Sequence, residues 1–399
     1  MSLTWRPGGN RNPVQRLGLR IARNRLSEKL TASSYTQEDE KPDTVIARIL
    51  DLARWAPSGD NTQPWRFETT DERHFLILAQ DTRDWCVYDL DGRASQTAVG
   101  ALLETIAIAA SGEGLASAFS RKQASPETNP VIEVTLSKLS DPEPDPLLPF
   151  IRARVTQRRP LSTTPLTTRQ KIIMEESVGA SYRIIWIEGW AQKWWMARLL
   201  FQNAGIRLTI PEAYEVHKRI IQWDAQYSED RIPDQAVGLD TVTLKLMRWA
   251  MQSWKRVQMM NRYFAGTLMP RIQLDLIPAL RCAAHFMIIS EKPLESIENY
   301  LEGGRALQRF WLTSTSLGLQ FQPEMTPLIF SRYHALSENF TQDAHAIRLA
   351  GDLASRLSLS VGEKELANAV FMGRLGTGRV PGARSVRRSI KKQLLVDRR

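Results

Sequence analysis

The amino-acid sequence predicts an α+β fold in which a few strands pack with helices. Three observations favour this class over a doubly wound sheet. The candidate strands are few, they fall in two groups on either side of a proline-rich segment, and they do not alternate regularly with helices. At 399 residues, the chain is long enough for two domains or one large fused one with an ample core.

The first element predicted in residues 1–140 is a helix. Apolar residues at helical spacing favour a helix over about 43–56, and Pro57 cannot continue it. A hairpin, a second helix and a further strand follow. Their predicted bounds are Trp65–Thr69 and His74–Ala79 for the hairpin, about 94–111 for the helix and about 130–137 for the strand.

The clearest boundary is the proline-rich stretch Ser140–Pro149, which predicts a linker at 141–149 because proline disfavours helix and central strand alike. The second part, 150–399, is predicted to contain several helices and three strands. Their bounds are Tyr182–Ile187, His285–Ser290 and about 366–373, with a long helix at about 296–317. Gly303 and Gly304 each cost that helix roughly 1 kcal/mol relative to Ala, which close packing against the other half would explain.

The charge of the chain is unevenly distributed. The formal net charge is +10, of which residues 1–29 carry +6 and residues 374–399 carry +8, leaving about −4 for the residues between them. Terminal basic runs are usually solvated arms. This distribution weakens a nucleic-acid-binding interpretation, and we expect no nucleic-acid partner.

Several other classes of protein and site are disfavoured. No apolar run approaches the roughly 18–20 residues that cross a bilayer, and no apolar segment follows the basic N-terminus. Cys86 and Cys282 are too few for a disulfide framework or a zinc site, and the five histidines lack paired ligand spacing. His285 lies in an apolar strand and is expected to be a satisfied core residue. We expect a cytoplasmic protein with no metal and no membrane partner.

A segment at about 190–270 is rich in tryptophan and methionine. Most of these side chains are expected to belong to the core, and the alternative is an apolar lid over a planar substrate. The residues concerned are Trp194, Trp195, Trp223, Trp249, Trp254, Met247, Met251, Met259 and Met260.

The most informative stretch follows the first helix and reads Pro-Ser-Gly-Asp-Asn-Thr-Gln-Pro-Trp over residues 57–65. Free backbone amides with Ser58, Asn61 and Gln63 suit the edge of a flat heterocycle, and the alternative is an ordinary loop before an edge strand. The string resembles the Pro-Ser-x-x-Asn-x-Gln-Pro-Trp signature of nitroreductase-like flavoenzymes. The resemblance implies that Pro57, Ser58, Asn61 and Gln63 contact the isoalloxazine of FMN.

A second motif follows the linker, where Arg154, Thr156 and Arg158 alternate. In an extended segment they would project to one side, and two guanidinium groups flanking a hydroxyl can bind a phosphate. A basic surface strand is the alternative. The motif resembles the Arg-x-Ser-x-Arg/Lys motif of the same family. That resemblance implies that Arg154 and Thr156 bind the FMN phosphate and that Arg158 lies at the pyrimidine edge of the ring.

Two further pieces are implied by the resemblance. The loop after the long helix places the backbone N–H of Met325 or Thr326 beside the reactive N5 of the flavin, although the Glu-Gly common in the family is missing. In the C-terminal run, Arg387 or Arg388 returns to the phosphate, and a disordered tail is the alternative. No catalytic residue is assigned, because the flavin itself carries the chemistry.

The order of the motifs predicts a fused pseudo-dimer. In nitroreductase homodimers one subunit supplies the basic motif and the other the Pro-Ser loop, whereas this chain has the loop only in its first half and the basic motif only in its second. The chain resembles fused, Acg-type relatives and would keep one complete flavin site of two. It could be a monomer of this kind or a homodimer.

The implied function is an FMN-dependent oxidoreductase that passes electrons from NAD(P)H to a small, planar organic acceptor, or a flavin-dependent dehydrogenase acting on a biosynthetic intermediate. Two alternatives stay open. One is a protein that stores FMN with little turnover. The other is a binding module whose basic ends engage nucleic acid or anionic lipid.

Overall fold

The computed structural model describes residues 43–140 and 142–395, so the basic run at 1–29 lies outside the described residues. The helices, in chain order, are α1 (Val45–Ala53), α2 (Arg93–Gly112), α3 (Thr168–Ser177), α4 (Gly189–Thr209), α5 (Pro211–Ile220), α6 (Thr241–Ala250), α7 (Trp254–Tyr263), α8 (Leu268–Arg271), α9 (Ile277–Leu280), α10 (Ile297–Ser316), α11 (Thr326–Leu336), α12 (Ala344–Val361), α13 (Glu363–Ala367) and α14 (Ile390–Gln393). A π-helical turn, Ile272–Leu276, joins α8 to α9.

The strands belong to two main sheets and two small ones. They are β1 (Trp65–Thr69), β2 (His74–Ala79), β3 (Leu115–Arg121), β4 (Val131–Lys138), β5 (Tyr182–Ile187), β6 (Ile221–Gln222), β7 (Tyr227–Ser228), β8 (Ile232–Pro233), β9 (Ala284–Ser290), β10 (Gln320–Pro323), β11 (Ala369–Gly376) and β12 (Arg384–Ser385). The first sheet has the order β1-β2-β4-β3 and the second β10-β11-β9-β5, and every pairing in both is antiparallel. This architecture confirms the mixed helix-and-sheet class.

Most predicted elements are confirmed, with some errors at their ends. The hairpin β1–β2 and strand β5 have the predicted bounds, and α2 and α10 differ from prediction by about one residue at each end. The late strand begins at Ala369 rather than near 366. Strands β3 and β10 were not predicted, since β3 is rich in Ala and Ser and β10 contains a proline.

Helices α2 and α10 pack against each other and connect the two main sheets. Helix α2 follows the hairpin of the first sheet, α10 precedes β10 of the second, and each has 20 residues. They cross at glycines, because a Cβ on Gly304 would lie 2.0 Å from the carbonyl oxygen of Thr97, and one on Gly100 would lie 2.0 Å from that of Leu301. The close packing expected of Gly304 is therefore present, against the helix of the first sheet.

The predicted linker packs on these helices. Leu147 is buried in the core of the first sheet. The Asp145 carboxylate is also buried and accepts a hydrogen bond from Arg309 of α10 at 3.1 Å, while the same guanidinium donates to Glu104 of α2 at 2.8 Å. The proline-rich stretch thus connects the parts as a fixed strap across both helices.

The C-terminal segment is packed rather than solvated as far as it is described. Val386 and Ile390 are buried, and the backbone N–H of Leu395 donates to the carbonyl oxygen of Phe67 in β1. After the second sheet, the described part of the chain therefore returns to the edge strand of the first sheet.

The prediction for the tryptophan- and methionine-rich segment was wrong. None of its nine named side chains is buried, and Trp194, Trp249 and Met259 are exposed. Helices α6 and α7 lie over a cavity, so their apolar faces line an open space rather than a core. No helix among the described residues is long and apolar enough to cross a membrane.

Candidate cofactor-binding site

A cavity of about 840 Å³ brings the two sequence motifs together. Its size falls within the range of about 300–1,000 Å³ that is usual for small-molecule sites. The loop at 57–62, the segment 154–158, the start of α11, the lid helices α6 and α7, and the C-terminal residues 384–387 all contribute to its wall. The two motifs are about a hundred residues apart in sequence and form one site.

The loop after α1 is held in an unusual backbone conformation. Asp60, Asn61 and Gln63 have φ values of 49°, 64° and 50°, which non-glycine residues seldom adopt. The Oγ of Ser58 accepts the backbone N–H of Gln63 at 3.0 Å. Pro57, Ser58 and Asn61 line the cavity as expected.

The side chains of Asn61 and Gln63 fix this loop to later parts of the chain. The Asn61 amide donates to the carbonyl oxygens of Ser228, Arg231 and Val386. The fully buried Gln63 does not line the cavity, because its amide donates to the carbonyl oxygen of Glu229 and its Oε1 accepts from the backbone of Arg388 and from Gln393. Gln63 thus supports the loop from behind.

Three arginines of the cavity wall form a cluster beside the start of this loop, next to Trp55 and Ala56. Arg154, Arg384 and Arg387 line the cavity, and Arg154 and Arg387 are only 3% and 5% exposed. Their hydrogen bonds within the described residues go to main-chain carbonyl oxygens, including those of Trp55 and Ala56. The Nε atoms of Arg154 and Arg384 are buried without a partner.

The cluster is electrostatically unfavourable as it stands. Burial, followed by repulsion from Arg384 and Arg54, lowers the pKa of Arg387 to about 9. Burial and the charges of Arg387 and Arg384 also lower the pKa of Arg154 strongly. Guanidinium groups stay charged at neutral pH, so the cluster has the chemistry to bind an anion with several oxygen acceptors. We call it the arginine cluster below.

Two members of this cluster, Arg154 and Arg387, are among the residues predicted from the sequence, and the third is not. Arg387 faces the cavity as expected, whereas Arg388 turns outward and pairs with Asp230 at 3.4 Å. The third member, Arg384, lies three residues before Arg387, and nothing in the sequence distinguishes it from the other arginines of the C-terminal run. Trp311 was also missed; it stacks with Arg154 at 4.5 Å, and its buried Nε1 lacks a partner.

The remainder of the basic motif runs beside the second sheet. Thr156 bridges to Phe321 of β10, and Arg154, Thr156 and Arg158 all reach the cavity. The Arg158 guanidinium donates to the carbonyl oxygen of Ala236 at 3.2 Å. Burial raises the pKa of nearby Asp60 to about 6, against an opposing effect of the Arg158 charge. Arg154, Thr156 and Arg158 therefore share the cavity wall as the sequence predicted, and Val155 also contributes to that wall.

Helix α11 begins at the cavity. Met325 and Thr326 both line it, and Thr326 is the first helical residue, so its backbone N–H has no partner within the helix. The Oγ1 of Thr326 accepts from the amide of Asn203 at 2.6 Å. The structure thus places both residues on the cavity wall.

A buried ionic triad lies directly before α11. The Nδ1 of His285 bonds to the Glu324 carboxylate at 2.7 Å, and its Nε2 bonds to the carbonyl oxygen of Ala279 at 2.9 Å. Because both ring nitrogens face acceptors, the imidazole is doubly protonated. Arg374 donates to the other Glu324 oxygen at 2.7 Å and to the carbonyl oxygen of Arg158 at 3.0 Å. His285 is thus a satisfied core residue, as expected.

This triad makes stability dependent on pH. Burial alone would lower the pKa of His285, but the charge of Glu324 raises it from 6.5 to about 10. The contribution of protonated His285 to the free energy of unfolding is therefore complete below pH 6.5 and is lost as pH rises through about 10. We expect the unfolding free energy to fall by up to about 1.4 kcal/mol per pH unit in this interval, in addition to other titrations.

Urea unfolding at a series of pH values measures this dependence. His285→Gln should remove the dependence, whereas His345→Gln, at an exposed site, should keep it. Identical pH profiles for the parent and His285→Gln would show that the imidazole is not protonated in the fold.

The cavity wall also holds polar pairs that were not predicted from the sequence. The Tyr88 hydroxyl bonds to Nε2 of His217 at 3.0 Å, and burial lowers the pKa of His217 to about 3. Arg207 donates to Asp275 at 2.5 Å, and Asp275 reaches the cavity from the π-helical turn. Such turns are frequent at functional sites. No three His, Cys, Asp or Glu side chains of the described residues are placed to hold a metal ion.

Comparisons with known proteins give distant similarities. No family model matches the chain. The uncharacterized protein MT1398 of Mycobacterium tuberculosis (strain CDC 1551 / Oshkosh) is 22% identical over 317 residues, which are 77% of this chain and 43% of that protein. This chain therefore spans less than half the length of that curated relative.

Two solved structures are also similar to this chain. A nitroreductase with bound FMN from Desulfitobacterium hafniense DCB-2 is 13% identical with a TM-score of 0.32, covering 63% of this chain and 97% of that one. The FMN-dependent nitroreductase NfnB from Mycobacterium smegmatis, in complex with NADPH, is 14% identical with a TM-score of 0.31, covering 62% and 96%. Because these similarities are low, we infer the function of this chain from its own residues.

Proposed function

We propose that the chain is an FMN-dependent oxidoreductase of the nitroreductase-like type. The observation that carries this proposal is the arginine cluster, which lies in the same cavity as the Pro57–Asn61 loop. Neighbouring guanidinium groups with unpartnered Nε atoms favour the binding of an anion, which would supply acceptors and offset their charge. The loop offers a different chemistry, namely neutral donors and acceptors suited to the edge of a flat ring. A ring that bears a phosphate satisfies both.

The residues of the cavity fit FMN in distinct roles. Arg154, Arg384 and Arg387, with Thr156, would bind the phosphate, and Pro57, Ser58 and Asn61 would contact the ring system. Arg158 would lie at the pyrimidine edge, and the backbone of Met325 or Thr326 would lie near the reactive centre. Gln63 and Arg388 would support this wall from outside it. When bound, FMN would accept electrons from NAD(P)H and pass them to a small organic acceptor.

We further propose that the chain is an intramolecular pseudo-dimer, with halves at 1–140 and 150–399 joined by 141–149. Each described half contains one four-stranded antiparallel sheet and one 20-residue helix, and the two helices cross at glycines. The loop comes from the first half and the arginine cluster from the second. One complete site per chain follows from this division.

The test is the visible absorption spectrum of the protein, reconstituted with FMN if necessary, before and after anaerobic addition of NAD(P)H. A flavin spectrum that bleaches supports an oxidoreductase. A flavin spectrum that persists supports the alternative of FMN storage, for which lid helices over the cavity provide a structural basis. Absence of flavin after soaking in FMN contradicts both.

Arg158→Ala tests the proposed role at the ring edge. Loss of this partly buried charged donor should weaken flavin binding or slow flavin reduction by about 10- to 100-fold. Flavin fluorescence titration and stopped-flow reduction measure the two effects. Arg159→Ala is the matched control, because this neighbouring arginine is exposed. If Arg158→Ala leaves both quantities unchanged, Arg158 has no role at the ring edge.

A further inference from the structure

The mouth of the cavity is surrounded by exposed apolar side chains. Val242, Leu246, Phe264 and Met269 line the cavity and yet are 76%, 47%, 65% and 48% exposed, respectively. Tyr263, beside Phe264, is 68% exposed. A soluble protein seldom leaves so many large apolar groups together in water without a partner. We call these four cavity-lining residues and Tyr263 the apolar rim.

The segment that carries the apolar rim is strongly basic. Residues 241–274 contain six lysines and arginines and no aspartate or glutamate. Lys245, Lys255 and Arg262 are exposed, and Arg248 is half exposed and pairs with Asp224 from outside the segment. The rest of the chain body, residues 30–240 and 275–373, carries a formal net charge of −10, so this positive charge is local to the segment 241–274.

We propose that the apolar rim and its basic helices dock on an anionic lipid surface. Exposed aromatic and aliphatic side chains flanked by lysine and arginine are typical of helices that lie in a membrane interface. A second copy of this chain is a poorer partner, because the same exposed cations would face each other. A nucleic acid would neutralise the charge but would leave the apolar rim in water.

Docking by the rim would direct the cavity mouth into the lipid interface. Behind the rim, Met247, Met251 and Met260 line the cavity with adaptable apolar side chains. The molecule that enters would then be lipophilic and drawn from the bilayer. This last step rests on the proposed function, whereas docking itself does not require bound flavin.

Flotation of the full chain with vesicles tests the proposal. The vesicles are phosphatidylcholine with and without phosphatidylserine, and the protein is used both with and without added FMN. We expect binding to vesicles that contain phosphatidylserine, weakening as salt is added and independent of FMN. A failure of flavin binding would therefore overturn the proposed function without affecting this result.

Variants locate the docking surface. Lys255→Gln with Arg262→Gln should lower vesicle partitioning about 25-fold, and Phe264→Ser should lower it about tenfold. The matched controls are Lys122→Gln and Leu359→Ser, at exposed sites outside the lid, and they should bind like the parent. Equal binding by the lid variants and the parent would assign vesicle binding to another basic segment, such as 1–29, and would overturn the proposal.

Light scattering of the same variants distinguishes the competing partner. A parent protein that does not bind vesicles and forms a dimer dissociated by Phe264→Ser would show that a second copy covers the rim. That result would also overturn the proposal.

Discussion

Arg154→Met is expected to lower the affinity for FMN by about 30- to 1,000-fold, the usual cost of removing one partner from a buried charged contact. The apo protein should not lose stability in proportion. Arg154 donates one hydrogen bond, to Trp55, and lies beside the like charges of Arg384 and Arg387. Removing its charge relieves that repulsion, so the thermal midpoint without FMN should change little or rise.

Titration with FMN and with riboflavin separates the phosphate from the ring. The parent should prefer FMN strongly, while Arg154→Met should bind both with similar, weak affinity. Arg388→Met is the control. Arg388 lies in the C-terminal run that supplies Arg384 and Arg387, but it faces away from the cavity, so this variant should retain the preference for FMN. An unchanged preference for FMN in Arg154→Met would show that the arginine cluster is not the phosphate site.

Gly304→Ala is expected to lower the free energy of unfolding by about 3 kcal/mol or more, at the upper end of the cost of overpacking. The new Cβ would lie 2.0 Å from the carbonyl oxygen of Thr97, and backbone atoms of α2 cannot move aside as a flexible side chain can. The helices would have to separate, which would also shift the cavity wall carried by Leu307 and Trp311.

Gly205→Ala is the control for this substitution. Gly205 also lies inside a helix, but its Cβ would meet only side-chain atoms at 3.6 Å or more. That variant should be neutral or stabilised by about 0.5–1 kcal/mol through helix propensity. Chemical denaturation compares the two. Equal stability of Gly304→Ala and the parent would show that the helices do not cross as closely as described.

The sequence was sufficient to predict those elements whose structure depends on a short-range pattern of residues. The hairpin Trp65–Thr69 and His74–Ala79 alternates around a short polar turn, so the bounds of its strands could be predicted. The Arg154–Arg158 alternation likewise placed three side chains on one wall. The lid was misjudged because an amphipathic helix beside a cavity has the same residue pattern as one beside a core.

The orientation of single side chains depended on distant segments. Gln63 looked like a ring contact, but partners from Glu229 to Gln393 turn it away from the cavity. Arg384, Arg387 and Arg388 are equivalent in sequence, and contacts with distant residues distinguish them: Arg387 donates to Ala56, whereas Arg388 pairs with Asp230. The polar pair Tyr88–His217 joins residues 129 positions apart, so no local pattern could reveal it.

The central claim is that one flavin site forms from the two parts of a single chain. The measurement that tests it most directly is a stoichiometric titration of the apo protein with FMN, in which the quenching of flavin fluorescence reports binding. We predict saturation at one FMN per chain. Saturation at two FMN per chain, or no saturable binding, would contradict this account.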